Sequence, residues 1–299
     1  MIREKFNMNG FAVINKGLGI SSSDVVIKCR NALSHAINEK IKCGHMGTLD
    51  PMAEGVLLIA FGNATRLFDY LLPKEKTYKA TFTFGEERDT ADSVGKVVGT
   101  SSLPRYQQIL DILPEFVGEI SQVPPKYSAV NVNGQRAYDM ARAGKDFQLQ
   151  AKKVNIKDIT VLDKTLIEDN CQDVCVSVTC GGGTYIRSLC TDIAHKAGVC
   201  GYMSSLTRVD CGGYGLDDSV TLKEFIKNPV DNVKNIKGLL SQVMPIIQLE
   251  EKTYTKLRNG RCIDSDLEDG TYGVEYNSNV CFIINVKKKK AKSVCYLQD

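Results

Sequence analysis

The clearest periodic signal in the chain is an alternation in which Tyr78, Ala80, Phe82 and Phe84 are separated by Thr77, Lys79, Thr81 and Thr83. A period of two puts the first set on one face of a strand, so this segment predicts a strand with one buried face, stopped by Gly85. Upstream, Ser21 and the serines after it are N-cap candidates, and Val25, Cys29, Ala32, Leu33, Ala36 and Ile37 fall on one helical face. An amphipathic helix is predicted there. A turn over 44–47 leads to Asp50-Pro51, where an Asp cap with proline at the first helical position predicts a short apolar helix starting at Asp50. Further strands are predicted over 154–162 and 174–180, and helices over 107–113, 135–143 and 186–197.

Strands and helices mingle irregularly, which predicts an α+β fold: a mixed, largely antiparallel sheet with flanking helices. The pattern weakens after Gly215 through a polar, lysine-bearing stretch over 228–237, and a boundary is expected near Met244. Beyond it, short alternating runs such as 281–286, separated by glycine and asparagine turns, predict a small C-terminal β-barrel. The expected domains are therefore 1–243 and 244–299. No internal repeat is evident.

Composition narrows the functional classes. A chain of 299 residues with 43% hydrophobic content can bury a full core in about two domains. No run of roughly 18 apolar residues is present to span a bilayer, and residues 1–11 lack the apolar stretch of a signal peptide. A soluble, unexported protein is expected. Eleven cysteines, an odd number without a disulfide-like framework, fit reduced thiols in a cytoplasm. Cys171 and Cys175 have three residues between them and no matching second pair, and the five-residue spacing of Cys190, His195 and Cys200 rotates those side chains around a helix. No metal is expected.

The net charge is only +3, so any nucleic-acid surface must be local. The run Lys287, Lys288, Lys289, Lys290 and Lys292 would attract a phosphate backbone, or would form only a solvated edge or fraying tail.

Two segments could carry chemistry. Gly44-His45-Met46-Gly47-Thr48-Leu49-Asp50-Pro51 places an aspartate between a glycine-bracketed turn and an apolar run, as a held carboxylate or simply as a helix cap. Gly181-Gly182-Gly183-Thr184-Tyr185-Ile186-Arg187 ends a strand in glycines and sets an arginine at a helix start. It lacks the Gly-Lys-Ser/Thr ending of a phosphate-binding loop and does not match a dinucleotide fingerprint.

In this order, Gly44 to Asp50, Lys76-Thr77-Tyr78 and Gly183 to Arg187 resemble the TruB family of tRNA pseudouridine-55 synthases, with similarity running from about Val13 to Tyr214. The segment from Ile246 resembles, less distinctly, the small PUA RNA-binding domain. The resemblance implies the pseudouridine synthase fold and isomerisation of a uridine in the T loop of tRNA, with no metal or cofactor. It implies that Asp50 is the essential carboxylate, either adding to the pyrimidine ring or acting on the ribose to give a glycal. Tyr78 would stack on the flipped base and assist removal of the carbon-5 proton, and Arg187 would pair with Asp50. Leu206 would wall the pocket, His45 would enter the space left by the extruded nucleotide, and Lys16 would contact RNA. Tyr185 and Asp92, the latter in a region similar to the family's Asp-Thr-x-Asp, are further substrate-binding candidates. Gly17 replaces the family's usual proline and Thr207 replaces a frequent arginine. The implied partner is the T-arm stem-loop, bound by a cytoplasmic monomer without membrane association. The alternatives are an RNA-binding or RNA-folding protein without catalysis, and a synthase acting on another RNA.

Overall fold

The computed structural model describes residues 9–71, 75–132 and 134–297, so most of the leader segment judged above lies outside the described residues. The chain forms two compact units, one from Met1–Pro51, Gly55–Pro73 and Gly212–Asp299, the other from Met52–Glu54 and Lys74–Cys211. The expected boundary near Met244 falls inside the first unit, where that unit's second sheet begins.

In the first unit, β1 (Gly10–Lys16) runs antiparallel to β3 (Glu54–Phe61), with Ile14 opposite Leu57, and β2 (Cys43–His45) lies on the other side of β3. Every residue from Gly55 to Phe61 is buried, which is the burial of an interior strand covered on both faces. This corrects the helix predicted after Asp50. The apolar run has no period that separates a buried strand from a buried helix, and Asp50-Pro51 occupies a turn entering β3. Helix α1 (Ser22–Ile37) starts as predicted, with Ser21 accepting from the Asp24 amide at 3.1 Å, and ends at Asn38 in the left-handed conformation. It buries Val25, Cys29 and Leu33, a narrower stripe than predicted, because Ala36 is exposed.

The first unit also carries a separate five-stranded sheet, in the order Ile246–Gln248, Gly270–Tyr276, Asn279–Lys287, Lys290–Tyr296, Ile263–Asp264. Tyr254 and Leu257 of the helix Glu251–Arg258 pack on its Val274, Phe282 and Ile284, forming the core of the expected small C-terminal β domain. The lysine run is not a fraying tail. Lys288 and Lys289 form the two-residue turn of a hairpin, with φ of 51° and 58°. The end of the last strand is tied to earlier parts of the first unit: the Asn9 side-chain amide donates to the Leu297 carbonyl at 2.7 Å, and Arg66 Nη1 to the Tyr296 carbonyl at 2.9 Å.

The second unit is an antiparallel sheet in the order Gly201–Cys211, β4 (Lys76–Phe84), Asn170–Cys180, Lys152–Ile167, Gly118–Gln122. The predicted alternation in β4 holds, with Tyr78, Ala80, Phe82 and Phe84 buried. The helix Ile186–Lys196 covers the sheet with Ile186, Leu189, Cys190, Ile193 and Ala194. It comes so close that a Cβ at Gly201 would lie 2.6 Å from the Ala194 Cβ, which restricts that position to glycine. The predicted helix over 135–143 shortens to Ala137–Arg142, preceded by a small hairpin. Among the described residues no helix is long and apolar enough to cross a membrane, and no three His, Cys, Asp or Glu side chains converge as Cys190, His195 and Cys200 would have to for a metal.

Candidate active site

The turn that carries Asp50 is held on both sides. The Ser22 hydroxyl, buried at the start of α1, donates to the Leu49 carbonyl at 2.7 Å and accepts from the Leu49 amide at 2.8 Å. On the other side, the Gly19 amide donates to the Pro51 carbonyl at 2.8 Å, from a backbone at φ +78° that glycine adopts without strain. Met46 and Leu49 point into the core, and the Met46 amide donates to Leu58 of β3 at 2.8 Å. Asp50 itself is half-buried. The backbone on either side of Asp50 is therefore fixed, and no helix follows for Asp50 to cap.

Lys16 is fully buried, and its ammonium donates to the carbonyls of Gly17 at 3.0 Å and Ile20 at 2.9 Å. Those bonds fold the 17–20 loop that presents Gly19 to Pro51. His45, half-buried, ends β2 opposite Ile59 and begins the segment leading to Asp50.

In the second unit, Arg187 at the first turn of its helix is 4% exposed. Its Nη1 donates to the Thr90 carbonyl at 3.1 Å and its Nη2 to the Tyr127 carbonyl at 3.0 Å, with Asp92 Oδ2 3.6 Å from Nη1. Asp92 is buried too, and accepts from the Thr90 hydroxyl at 2.6 Å and the Val94 amide at 3.2 Å. One guanidinium fork thus joins the helix to two loops, geometry that a planar, permanently charged group supports. Tyr185, half-buried, is held by both its backbone polar groups: its amide donates to Gln122 Oε1 at 2.8 Å, and its carbonyl accepts from Gln122 Nε2 at 3.1 Å. Gln122 is nearly fully buried and had no marker in the sequence, where it reads as an ordinary polar residue at a strand end.

Tyr78 sits on the buried face of β4 with Leu206 one rung along, opposite Ala80. Directly across from Tyr78 is Arg208, 1% exposed, whose guanidinium hydrogen-bonds the phenolic oxygen. Burial pushes the Tyr78 phenol up to about 12, against the opposing pull of Arg208. At neutral pH it is a neutral phenol. Lys76, two residues back on the same face, is held below its ordinary range, first by burial and also by the nearby Arg208. Arg208 is the functional candidate that motif reading passed over, although it stands only two residues beyond Leu206.

Residues 34–186 match the family described as TruB family pseudouridylate synthase (N terminal domain). The chain is 34% identical over 262 residues to tRNA pseudouridine synthase B of Caulobacter vibrioides, covering 86% of this chain and 81% of the relative. It is 35% identical over 283 residues to tRNA pseudouridine synthase B of Anaplasma phagocytophilum, covering 92% and 91%. Among solved structures, the fold matches that described as "Crystal Structure of a Cbf5-Nop10-Gar1 Complex" with TM-score 0.71 and 23% identity, covering 99% of this chain and 89% of that one. It also matches an H/ACA RNP bound to a substrate RNA containing 2'-deoxyuridine, with TM-score 0.72 and 20% identity over 100% and 88%. The pseudouridine synthase fold and the match over more than half of the sequence place the chain in one group of isomerases: it belongs to the TruB family of pseudouridylate synthases.

Proposed function

We propose that this protein converts uridine 55 in the T loop of tRNA to pseudouridine, acting as a cytoplasmic monomer on the T-arm stem-loop with Asp50 as the essential carboxylate. The observation that carries this reading is the turn 49–51, whose backbone is fixed by Ser22 and Gly19 while Asp50 stays half-buried, on the motif that is specific to the family. The relatives' activity on tRNA supports the substrate.

The reaction breaks the bond between C1′ and N1 and forms one between C1′ and carbon 5; carbon 5 loses a proton and N1 gains one. An enzyme reaches carbon 5 only after flipping the nucleotide out of its stack, at a cost of about a few kcal/mol. His45 would offset that cost by filling the vacated space, while Tyr78 stacks on the flipped base and Leu206 supplies an apolar wall. Arg187 would orient the Asp50 carboxylate, and Tyr185 and Asp92 would complete the substrate-binding set with Lys16 behind the loop 17–20. No step requires a metal or cofactor. Residues 244–299 would act as a PUA-like RNA-binding domain. Tritium release from carbon-5-labelled uridine in a tRNA transcript tests the reading. A protein that binds the transcript tightly but releases no tritium would be an RNA-binding or RNA-folding protein instead.

A further inference from the structure

The buried face around Tyr78 carries more charge than stacking a base requires. Arg208 lies directly opposite on the strand Gly201–Cys211, Lys76 lies two residues back on β4, and Cys180 and Cys211 stand opposite Lys76 on the two neighbouring strands. A buried guanidinium is costly unless it is hydrogen-bonded, and one of the groups Arg208 bonds is the Tyr78 phenol. Of the two basic residues, it is Arg208 that contacts the phenolic oxygen directly, from the position facing Tyr78 across the strand pair.

We propose that Arg208 is the positioning residue of Tyr78, fixing its phenolic oxygen and stabilising the phenolate that takes the proton from carbon 5. The inference rests on the function proposed above. The phenol gives its proton to the uracil anion freed when the C1′–N1 bond breaks, which supplies the N1–H of the product. Carbon 5 then bonds to C1′, the phenolate accepts the carbon-5 proton, and the C–H electron pair returns to the ring as the C5–C6 double bond. Tyr78 ends the cycle as it began. A phenol near 12 is ionised in only about one molecule in 10⁵ at pH 7. Phenolate must therefore be made during the reaction, and a charged donor on its oxygen favours it most at that moment.

Single-turnover rates with protiated and 5-deuterated uridine in a T-arm hairpin test this, together with filter binding. Arg208→Gln is expected to slow the bound complex by about 10- to 100-fold, the range for a hydrogen bond to a charged group. It should also enlarge the deuterium isotope effect and leave affinity within about twofold. In a Tyr78→Phe background the same change should cost nothing further, and Arg208→Lys should recover part of the rate. Equal losses in both backgrounds, or weakened binding with a normal rate for bound RNA, would overturn the proposal. Should Arg208→Gln fail to fold, Arg208→Lys with and without Tyr78→Phe makes the same test. In RNA-free protein carrying ¹³Cζ-labelled tyrosine, the Tyr78 resonance should move on loss of Arg208, and an unmoved resonance refutes the contact. That measurement needs no turnover, so it separates failure of this inference from failure of the proposed function.

Discussion

Arg187→Lys keeps the charge and removes the fork. In the structure the two guanidinium nitrogens donate to different loops, at 3.1 Å to Thr90 and 3.0 Å to Tyr127, beside an Asp92 oxygen 3.6 Å away. A lysine ammonium is a single point on a flexible stem and can satisfy one carbonyl while remaining near Asp92. The variant therefore loses at least one charge-assisted hydrogen bond in a site where the arginine side chain is only 5% exposed, a cost of about 1.5–3 kcal/mol. At roughly 2–4 °C per kcal/mol for chains of this class, melting should fall by about 3–12 °C. Because the same group is proposed to orient Asp50, displacement of about 1 Å should slow chemistry on the order of a hundredfold. On the proposed function, phosphate contacts elsewhere would hold the RNA, so affinity should change little. The assay is single-turnover pseudouridine formation beside filter binding on one transcript, with a melting curve as control. A variant that binds poorly but turns over bound RNA at the normal rate would make Arg187 an RNA contact and refute the positioning argument.

Ser22→Ala removes the hydroxyl that satisfies both the amide and the carbonyl of Leu49; it should lower stability by about 1–3 kcal/mol and reduce turnover more than affinity, and a fully active variant would show that the turn holds Asp50 without it. A T-arm hairpin alone should serve as substrate, because the proposed recognition is of loop shape and an unstacked base; reaction of only full-length tRNA would mean a wider contact surface. Replacing Lys288 and Lys289 by serine should flatten the salt dependence of tRNA binding by about one to two units of log–log slope, and an unchanged slope would leave the hairpin tip a solvated edge.

The sequence was most legible where a single local force decides the outcome. In β4 the alternation survives because one face is buried and the other is not, and the Ser21 cap fixes the start of α1 within a residue. The strand Glu54–Phe61 misled because burial on both faces erases the period that identifies a strand, and Asp-Pro serves a turn as well as a helix start. The outer part of Lys152–Ile167 was missed because its residues past 162 are exposed, so no hydrophobic pattern marks them, and cross-strand pairing with Asn170–Cys180 extends the hairpin. The candidate site divided in the same way. Asp50, Tyr78 and Arg187 sit in ordered motifs, whereas the work of Gln122 and Arg208 depends on residues some 60 and 130 positions away in the chain, a proximity only the sheet creates. Lys16 is a different case: its partners, Gly17 and Ile20, are close in sequence, and only the structure shows its ammonium buried against the backbone of its own loop.

The central claim, that this protein is an isomerase working through Asp50, is met most directly by comparing the unmodified protein with Asp50→Asn on a tRNA transcript carrying tritium at carbon 5 of uridine. Asparagine keeps the size but not the charge, and the bonds from Ser22 and Gly19 that hold the turn are untouched, so the turn and the RNA contacts should persist. The account predicts stoichiometric tritium release by the unmodified protein and none by Asp50→Asn at equal RNA binding; comparable release from both would contradict it.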